Sequence, residues 1–189
     1  ELCAKARAFT DTALVTISRF SGESWDRNVE GGSTEGMANR VMAEKGSALY
    51  EHGDFYLSDA ETHMVEQVKK CFPKVAVVLN VGGMVDTQWF FADEKIQSVL
   101  MAWQGGMEGG NAVADVVMGR VNPCGKLSDT IAYSIEDYPS TPYYGDEKDV
   151  YYAEDIFVGY RYFETFDPEY TKVNYEFGFG LSYTTFDTS

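Results

Sequence analysis

Apolar runs of strand length alternate with helical patterns along most of the chain, and this alternation constrains the fold more than any other feature. Residues 12–18, 74–81 and 96–103 are rich in Val, Ile, Leu and other apolar residues, which is typical of strands covered on both faces. Residues 126–132 are predicted as a further short strand. Buried strands joined by helices favour an α/β fold with a mostly parallel, doubly wound sheet.

Helical patterns separate these strands. Ser58 and Glu61 form a capping-box pattern, in which each side chain accepts a hydrogen bond from the backbone of the other residue. The helix that begins there is predicted to end before Pro73. Residues 111–118 are predicted as a helix after a glycine-rich turn, and a short helix is predicted around residues 86–92.

The sequence changes character at residue 133. Residues 133–189 are rich in Tyr, Phe, Gly and Asp and show little helical periodicity, so they are predicted as long ordered loops with one or two edge strands. Such an aromatic and glycine-rich C-terminal arm is unusual in a free-standing domain. It indicates packing against a partner.

Charge and hydropathy exclude several classes of partner. The formal net charge is −15 and the pI is near 4.4, so the surface repels nucleic acid and anionic membranes. No apolar run approaches the roughly 20 residues of a membrane-spanning helix. No leader is visible, which predicts a cytoplasmic protein, and a start without Met predicts a piece of a longer one.

The cysteines give no pattern for a metal site or a disulfide framework. Cys3, Cys71 and Cys124 are far apart and odd in number, and no Cys-x-x-Cys spacing is present. Only His52 and His63 could supply imidazole ligands. We therefore expect no bound metal and no disulfide, with the three thiols idle in a reducing compartment.

A candidate acid/base residue, Glu23, follows directly on the first predicted strand, where open α/β sheets bind their ligands. Trp25 and the nearby arginines could tune the pKa of its carboxyl by burial and charge, as general acid catalysis requires. The sequence chemistry leaves an alternative open. Glu23 could be an exposed side chain that is ion-paired to Arg19 or Arg27.

Two aromatic and glycine-rich stretches, residues 152–163 and 175–186, also allow two interpretations. Flat rings complement the apolar face of a pyranose, so the stretches could bind sugar. They could equally pack on the core or on another domain, which is the interpretation we favour. A hydrolytic triad has little support, since neither a Gly-x-Ser-x-Gly nor a His-Glu-x-x-His pattern occurs.

A series of motifs spread over nearly the whole chain resembles the second domain of glycoside hydrolase family 3. In chain order the motifs are Ser-Gly-Glu at 21–23, Val-Val-Leu-Asn-Val-Gly at 77–82, Ala-Trp-Gln-x-Gly-x-Glu-x-Gly at 102–110, Asn-Pro-x-Gly-Lys-Leu at 122–127, Glu-x-Ile-x-Val-Gly-Tyr-Arg-Tyr-Phe at 154–163 and Phe-Gly-Phe-Gly-Leu-Ser-Tyr-Thr-x-Phe at 177–186. Each motif alone is modest evidence, whereas the ordered series is highly specific.

The resemblance implies that residues 1–189 form one domain of a multidomain enzyme, a three-layer α/β/α sandwich with about six strands. A barrel domain and often a fibronectin-type domain complete such a polypeptide, and no cofactor is involved. The implied activity is that of a retaining β-glucosidase-type enzyme, which hydrolyses terminal β-linked sugars of oligosaccharides or glycosides.

The resemblance also assigns roles to residues of one loop. Glu23 matches the acid/base, and Trp25, Asp26 and Arg27 are the candidate substrate-binding or orienting residues. The nucleophilic aspartate belongs to the barrel, whose Ser-Asp-Trp motif is absent here, so the isolated domain is expected to be inactive.

Two other functions remain possible from the sequence. The chain could be a non-catalytic module that binds carbohydrate or holds neighbouring domains. A flavodoxin-like nucleotide binder has less support, because the glycine cluster at 105–110 lacks the Gly-x-x-x-x-Gly-Lys-Ser/Thr pattern and carries Glu108 where a phosphate would lie.

Overall fold

The computed structural model describes residues 1–22, 27, 29, 50–144 and 148–185 of the chain. These residues belong to two units, Glu1–Gly110 and Asn111–Ser189. Among the described residues, no helix is long and apolar enough to cross a membrane.

A parallel sheet with the strand order β1-β2-β3 forms the core of the first unit. Its strands are β1 (Thr12–Arg19), β2 (Lys74–Val81) and β3 (Ile96–Met101). The central strand β2 is buried on both faces, with Val77, Val78 and Leu79 buried in succession. This arrangement confirms the prediction of a parallel α/β sheet made from the alternation of apolar runs. Of the roughly six strands expected, the described part of the chain forms three in this sheet.

The described residues of the first unit include the helices α1 (Leu2–Phe9) and α2 (Asp59–Cys71). The capping box at the start of α2 is present as predicted, and the helix ends at Cys71 with Phe72 as its C-cap, immediately before Pro73. The sequence did not indicate α1. None of the residues of this helix is buried.

A disulfide joins the two helices and overturns the expectation of idle thiols. Cys3 of α1 is bonded to Cys71, the last residue of α2, with the two Cα atoms 5.9 Å apart. The two cysteines are 68 residues apart in the sequence. Their proximity could not be predicted from the sequence, because they approach each other only when α2 runs back along the sheet. Cys124 is free and exposed.

Turns replace the helix that was predicted around residues 86–92. The Oδ1 atom of Asp86 accepts a hydrogen bond from the backbone N–H of Gln88 at 3.0 Å, which stabilises a local turn in competition with a helix. The next helix, α3 (Gly109–Val117), agrees with the prediction for residues 111–118.

The second unit contains a separate antiparallel pair, β4 (Ile131–Ala132) and β5 (Val173–Tyr175). The strand predicted at 126–132 is therefore much shorter than expected and does not pair with the parallel sheet. The reason is that the backbone of Leu127 pairs elsewhere, donating to Phe179 at 2.8 Å and accepting from Gly178 at 2.8 Å.

The second unit also contains a helix, α4 (Tyr160–Phe166), and short 3₁₀ turns at Ile135–Asp137 and Thr141–Tyr143. Phe163 of α4 is 1% exposed and packs in a small core with Ala132 and Val173. The helix escaped prediction because it is short and rich in aromatic residues, so tertiary packing rather than helix propensity stabilises it.

Candidate functional site

The loops that follow the three parallel strands meet at the carboxyl edge of the sheet. The Nε2 atom of Gln104, after β3, donates a hydrogen bond to the carbonyl oxygen of Ser21, after β1, at 3.0 Å. The N–H of Gly82, after β2, donates to the carbonyl oxygen of Arg19 at 3.2 Å. This is the edge at which open α/β sheets bind ligands.

Gly82 is required for the close approach of these loops. A Cβ atom at this position would lie 2.3 Å from the Cβ of Ser21 and 2.6 Å from the Nε2 of Gln104. Any other residue would force the two side chains apart. The glycine that ends the second apolar run therefore has a packing role that the sequence motif alone does not show.

Arg19, the last residue of β1, forms a partly buried ion pair with Glu61 of α2. Its Nη1 and Nη2 atoms lie 2.7 Å and 2.6 Å from the two carboxylate oxygens of Glu61, a two-point geometry that fixes both side chains. The Arg19 side chain is only 2% exposed. The pair connects the carboxyl end of the strand to the first turn of the helix.

The surroundings of Glu61 keep its carboxylate charged. Burial acts to raise the pKa of Glu61, but hydrogen bonds from Arg19 and from the backbone of Ser58 outweigh it, so the pKa lies below its usual value. The Ser58 N–H donates to the carboxylate at 2.9 Å. Glu61 thus caps its own helix and binds Arg19 with the same carboxylate.

The remaining donors of Arg19 hold the segment that precedes α2. Its Nε atom donates to the carbonyl oxygen of Asp54 at 2.8 Å, and Nη2 donates to that of Tyr56 at 2.9 Å. Nη1 also donates to the carbonyl oxygen of Ser18 at 2.8 Å. With the two bonds to Glu61, all five N–H groups of the guanidinium are used. Glu23 lies outside the described residues, so the ion pair with Glu23 that the sequence left open for Arg19 stays a prediction.

Arg27 is held by the same segment. Its Nη1 atom lies 2.9 Å from the carbonyl oxygen of Phe20 and 2.9 Å from the Oδ2 atom of Asp54. The side chains of Arg27 and Asp54 are 11% and 2% exposed. Within the described ranges, the Nη2 atom of Arg27 is buried and has no hydrogen-bond partner.

The structure describes only one of the four predicted site residues. Glu23, Trp25 and Asp26 lie outside the described residues. Arg27 lies against Phe20 and Asp54, and its proposed contact with substrate stays a prediction. Sequence reasoning missed Asp54 altogether, and it recognised Glu61 only as a helix cap.

The second unit presents aromatic side chains at its surface. The rings of Tyr160 and Phe177 stack with their centroids 4.6 Å apart. A shallow cavity of about 260 Å³ lies beside them, lined by Ile156, Phe157, Tyr160, Arg161, Glu164 and Thr165. In the part of the chain that the structure describes, no three His, Cys, Asp or Glu side chains are grouped to bind a metal ion.

These features define a class: an α/β domain with a parallel sheet, at whose carboxyl edge the loops after the strands meet. Residues 3–183 match the sequence model of the glycosyl hydrolase family 3 C-terminal domain, and the chain belongs to this family. The resemblance drawn from the motifs is thereby confirmed.

Several relatives with high identity to the chain are named as β-glucosidases. The chain is 56% identical over 188 residues to β-glucosidase A of Butyrivibrio fibrisolvens, an alignment that covers 98% of this chain and 23% of that protein. It is 40% identical over 188 residues to a β-glucosidase of Ruminococcus albus, covering 100% of this chain and 17% of the relative.

Two solved structures of β-glucosidases are also similar to this chain. A β-glucosidase from Paenibacillus barengoltzii superposes with a TM-score of 0.79 at 43% identity, over 97% of this chain and 18% of that one. A Kluyveromyces marxianus β-glucosidase in complex with glucose superposes with a TM-score of 0.70 at 31% identity, over 98% of this chain and 19% of that one. The chain thus spans about a fifth of the length of these relatives.

Proposed function

We propose that this chain is the sandwich domain of a retaining β-glucosidase-type enzyme and that Glu23 is the general acid/base of that enzyme. Family membership and the names of the relatives support the reaction class. One observation carries the assignment to this loop: Ser21, two positions before Glu23 in the sequence, accepts a hydrogen bond from Gln104 at the carboxyl edge where the loops after β1, β2 and β3 meet.

The proposed reaction divides between two parts of a longer polypeptide. A nucleophilic aspartate on a barrel domain attacks the anomeric carbon, while Glu23 protonates the leaving oxygen. In the second step Glu23 takes a proton from the water that attacks the glycosyl-enzyme intermediate. A retaining mechanism places the two carboxyl groups about 5–5.5 Å apart, so the domain and the barrel must pack closely at this edge.

The proposal includes the architecture that goes with this division. The parallel strands β1, β2 and β3 belong to a sandwich of about six strands, and the barrel and a fibronectin-type domain are the partners. The substrate is a glycoside or oligosaccharide with a terminal β-linked sugar. Trp25, Asp26 and Arg27 line or orient that substrate, and no cofactor takes part.

The test is a leaving-group series measured with Glu23→Ala in the full-length enzyme. Without the acid, kcat/KM should fall by about 10²–10⁴-fold for aryl β-glucosides with poor leaving groups. Leaving groups that need no protonation should be spared in the glycosylation step. The matched control is Glu94→Ala, because Glu94 is an exposed residue at the amino end of β3, the opposite edge of the sheet.

The control variant should retain the wild-type dependence on leaving group. An equal effect of Glu23→Ala on all substrates, or no effect at all, would refute the acid/base role and leave only the family assignment.

A non-catalytic carbohydrate-binding or scaffolding module is the second candidate. The observation that favours it is the exposed aromatic surface of the second unit, where Tyr152 is 88% exposed and Tyr183 is 62% exposed. Calorimetry of the 189-residue chain with glucose and cellobiose discriminates between the two functions. Binding without the barrel supports the module, whereas no binding supports a site that needs both domains.

A further inference from the structure

We propose that Asp54 is a positioning residue for the acid/base loop, holding both ends of that loop through Arg19 and Arg27. The inference rests on the proposed function, because it assigns to Asp54 an effect that passes through Glu23. Asp54 belongs to none of the motifs that define the family resemblance, and it lies in the segment between the site loop and α2.

Asp54 binds one arginine on each side of Glu23. Its backbone carbonyl oxygen accepts from Arg19, four positions before Glu23, at 2.8 Å. Its carboxylate accepts from Arg27, four positions after Glu23, at 2.9 Å. A single residue therefore fixes the point where the loop leaves the strand and the point where the chain returns.

A second hydrogen bond of Arg27 also joins the two ends of the loop. The Nη1 atom that binds Asp54 also donates to the carbonyl oxygen of Phe20 at 2.9 Å. The two ends of the segment from Phe20 to Arg27 are thus joined directly as well as through Asp54. We call the three residues Arg19, Asp54 and Arg27 the loop clamp.

The loop clamp is anchored to the helical layer. The two-point ion pair between Arg19 and Glu61 fixes the strand end of the clamp to the first turn of α2. A carboxylate that is 2% exposed and bound to a nearly buried guanidinium is costly to disturb, since removing one charge leaves the other buried without its partner. The clamp is therefore rigid where the loop begins and where it ends.

Rigid ends matter because proton transfer depends steeply on distance. A displacement of about 1 Å in a catalytic group can cost about 10²-fold in rate. A loose clamp should impair proton donation by Glu23 more than it impairs substrate binding. The consequence is selective, since only leaving groups that need protonation should be affected.

The experiment uses Asp54→Asn in the full-length enzyme with the same aryl β-glucoside series. We expect kcat/KM for poor leaving groups to fall by about 10–100-fold, while good leaving groups change by less than about threefold. The concentration of active sites is determined from the burst of product released from a slowly turned-over fluorinated glucoside. Rates are then calculated per active site, so that misfolded enzyme does not lower them. Asp54→Glu, which keeps the charge but displaces the carboxylate from Arg27, provides the same test if Asp54→Asn fails to fold.

Two controls separate positioning from loss of structure. Asp167→Asn removes another buried carboxylate, one that accepts three hydrogen bonds from Thr171 and Lys172 in the second unit. It should leave the leaving-group dependence unchanged. The double variant of Asp54→Asn with Glu23→Ala should be no slower on poor leaving groups than Glu23→Ala alone, because the clamp acts only through Glu23.

The outcomes distinguish the clamp from the function on which it rests. An equal loss on all substrates, no loss, or additive effects in the double variant would overturn the clamp while Glu23→Ala still shows its selective defect. If Glu23→Ala itself shows no selective defect, the acid/base assignment fails and the positioning role fails with it.

Discussion

Asp86 and Asp93 show how neighbouring carboxyl groups respond to opposite surroundings. Burial raises the pKa of Asp86, although hydrogen bonds from the backbone of Gln88 and Thr87 partly offset it. Lys69, whose Nζ atom is 2.6 Å from an oxygen of Asp93, lowers the pKa of Asp93 against a smaller opposing effect of burial. At neutral pH the charged form of Asp86 therefore destabilises the fold, whereas the charged form of Asp93 stabilises it.

Replacing each aspartate by asparagine should change stability in opposite directions. Asp86→Asn should raise the urea midpoint at neutral pH, since it removes a buried charge and keeps the acceptor for Gln88. A group with a raised pKa stabilises the fold only below its ordinary value of 3.8 and loses that contribution as pH rises, so the gain should vanish in acid.

Asp93→Asn is the matched control for this prediction. It should lower the free energy of unfolding by about 0.5–1 kcal/mol at neutral pH, because the ion pair with Lys69 is lost. The stabilising contribution of a group with a lowered pKa is present above 3.8 and disappears as pH falls. Shifts of the same sign in the two variants would contradict this account.

Individual site residues were predictable only where the signal is local. Ser58 and Glu61 form their capping box within four residues, so the sequence pattern predicts it. The pairing of Glu61 with Arg19 spans 42 positions and that of Asp54 with Arg27 spans 27. No spacing rule connects such residues, since the sheet and α2 bring them together.

At the scale of elements, a disulfide attaches α1 to α2. No residue of α1 is buried, and Leu2 and Phe9 are 81% and 92% exposed. Apart from the disulfide, Arg7 lies over the ring of Phe72 at 6.0 Å. Because disulfides are typical of oxidising compartments, idle thiols no longer support the expectation of a cytoplasmic protein.

Loss of this disulfide should destabilise the first unit. Cys3→Ser should lower the free energy of unfolding by about 2–4 kcal/mol, as expected for closure of a long loop. Cys124→Ser is the control and should have little effect, since Cys124 is free and exposed. Urea unfolding with and without a reductant gives the comparison. Equal stability of the Cys3→Ser variant and the wild type would show that the bond does not stabilise the fold.

Elements were predictable where the apolar pattern was continuous. The strands β1, β2 and β3 and the helices α2 and α3 all agree with their predicted positions within a few residues. The helix α4 was missed because its stability comes from burying Phe163 in the core of the second unit, which the sequence periodicity does not reveal. The turn at Asp86 was missed because a side-chain hydrogen bond overrides a weak helical pattern.

At the scale of the whole molecule, the second unit exposes an unusual amount of apolar surface. Val150, Tyr152 and Leu181 are 80%, 88% and 79% exposed. The relatives that the chain matches are about four to six times its length, since it covers 23% and 17% of them. Both facts fit the proposal that further domains of one polypeptide pack against this chain.

The central claim is that this chain supplies the acid/base of a retaining glycosidase, and the product formed in the presence of azide tests it most directly. Azide attacks a glycosyl-enzyme intermediate without needing a general base. The full-length Glu23→Ala enzyme should therefore be accelerated by azide and should release β-glucosyl azide, which NMR identifies, while Glu94→Ala should release glucose alone. Release of glucose alone by Glu23→Ala, at the wild-type rate and without acceleration, would contradict the account.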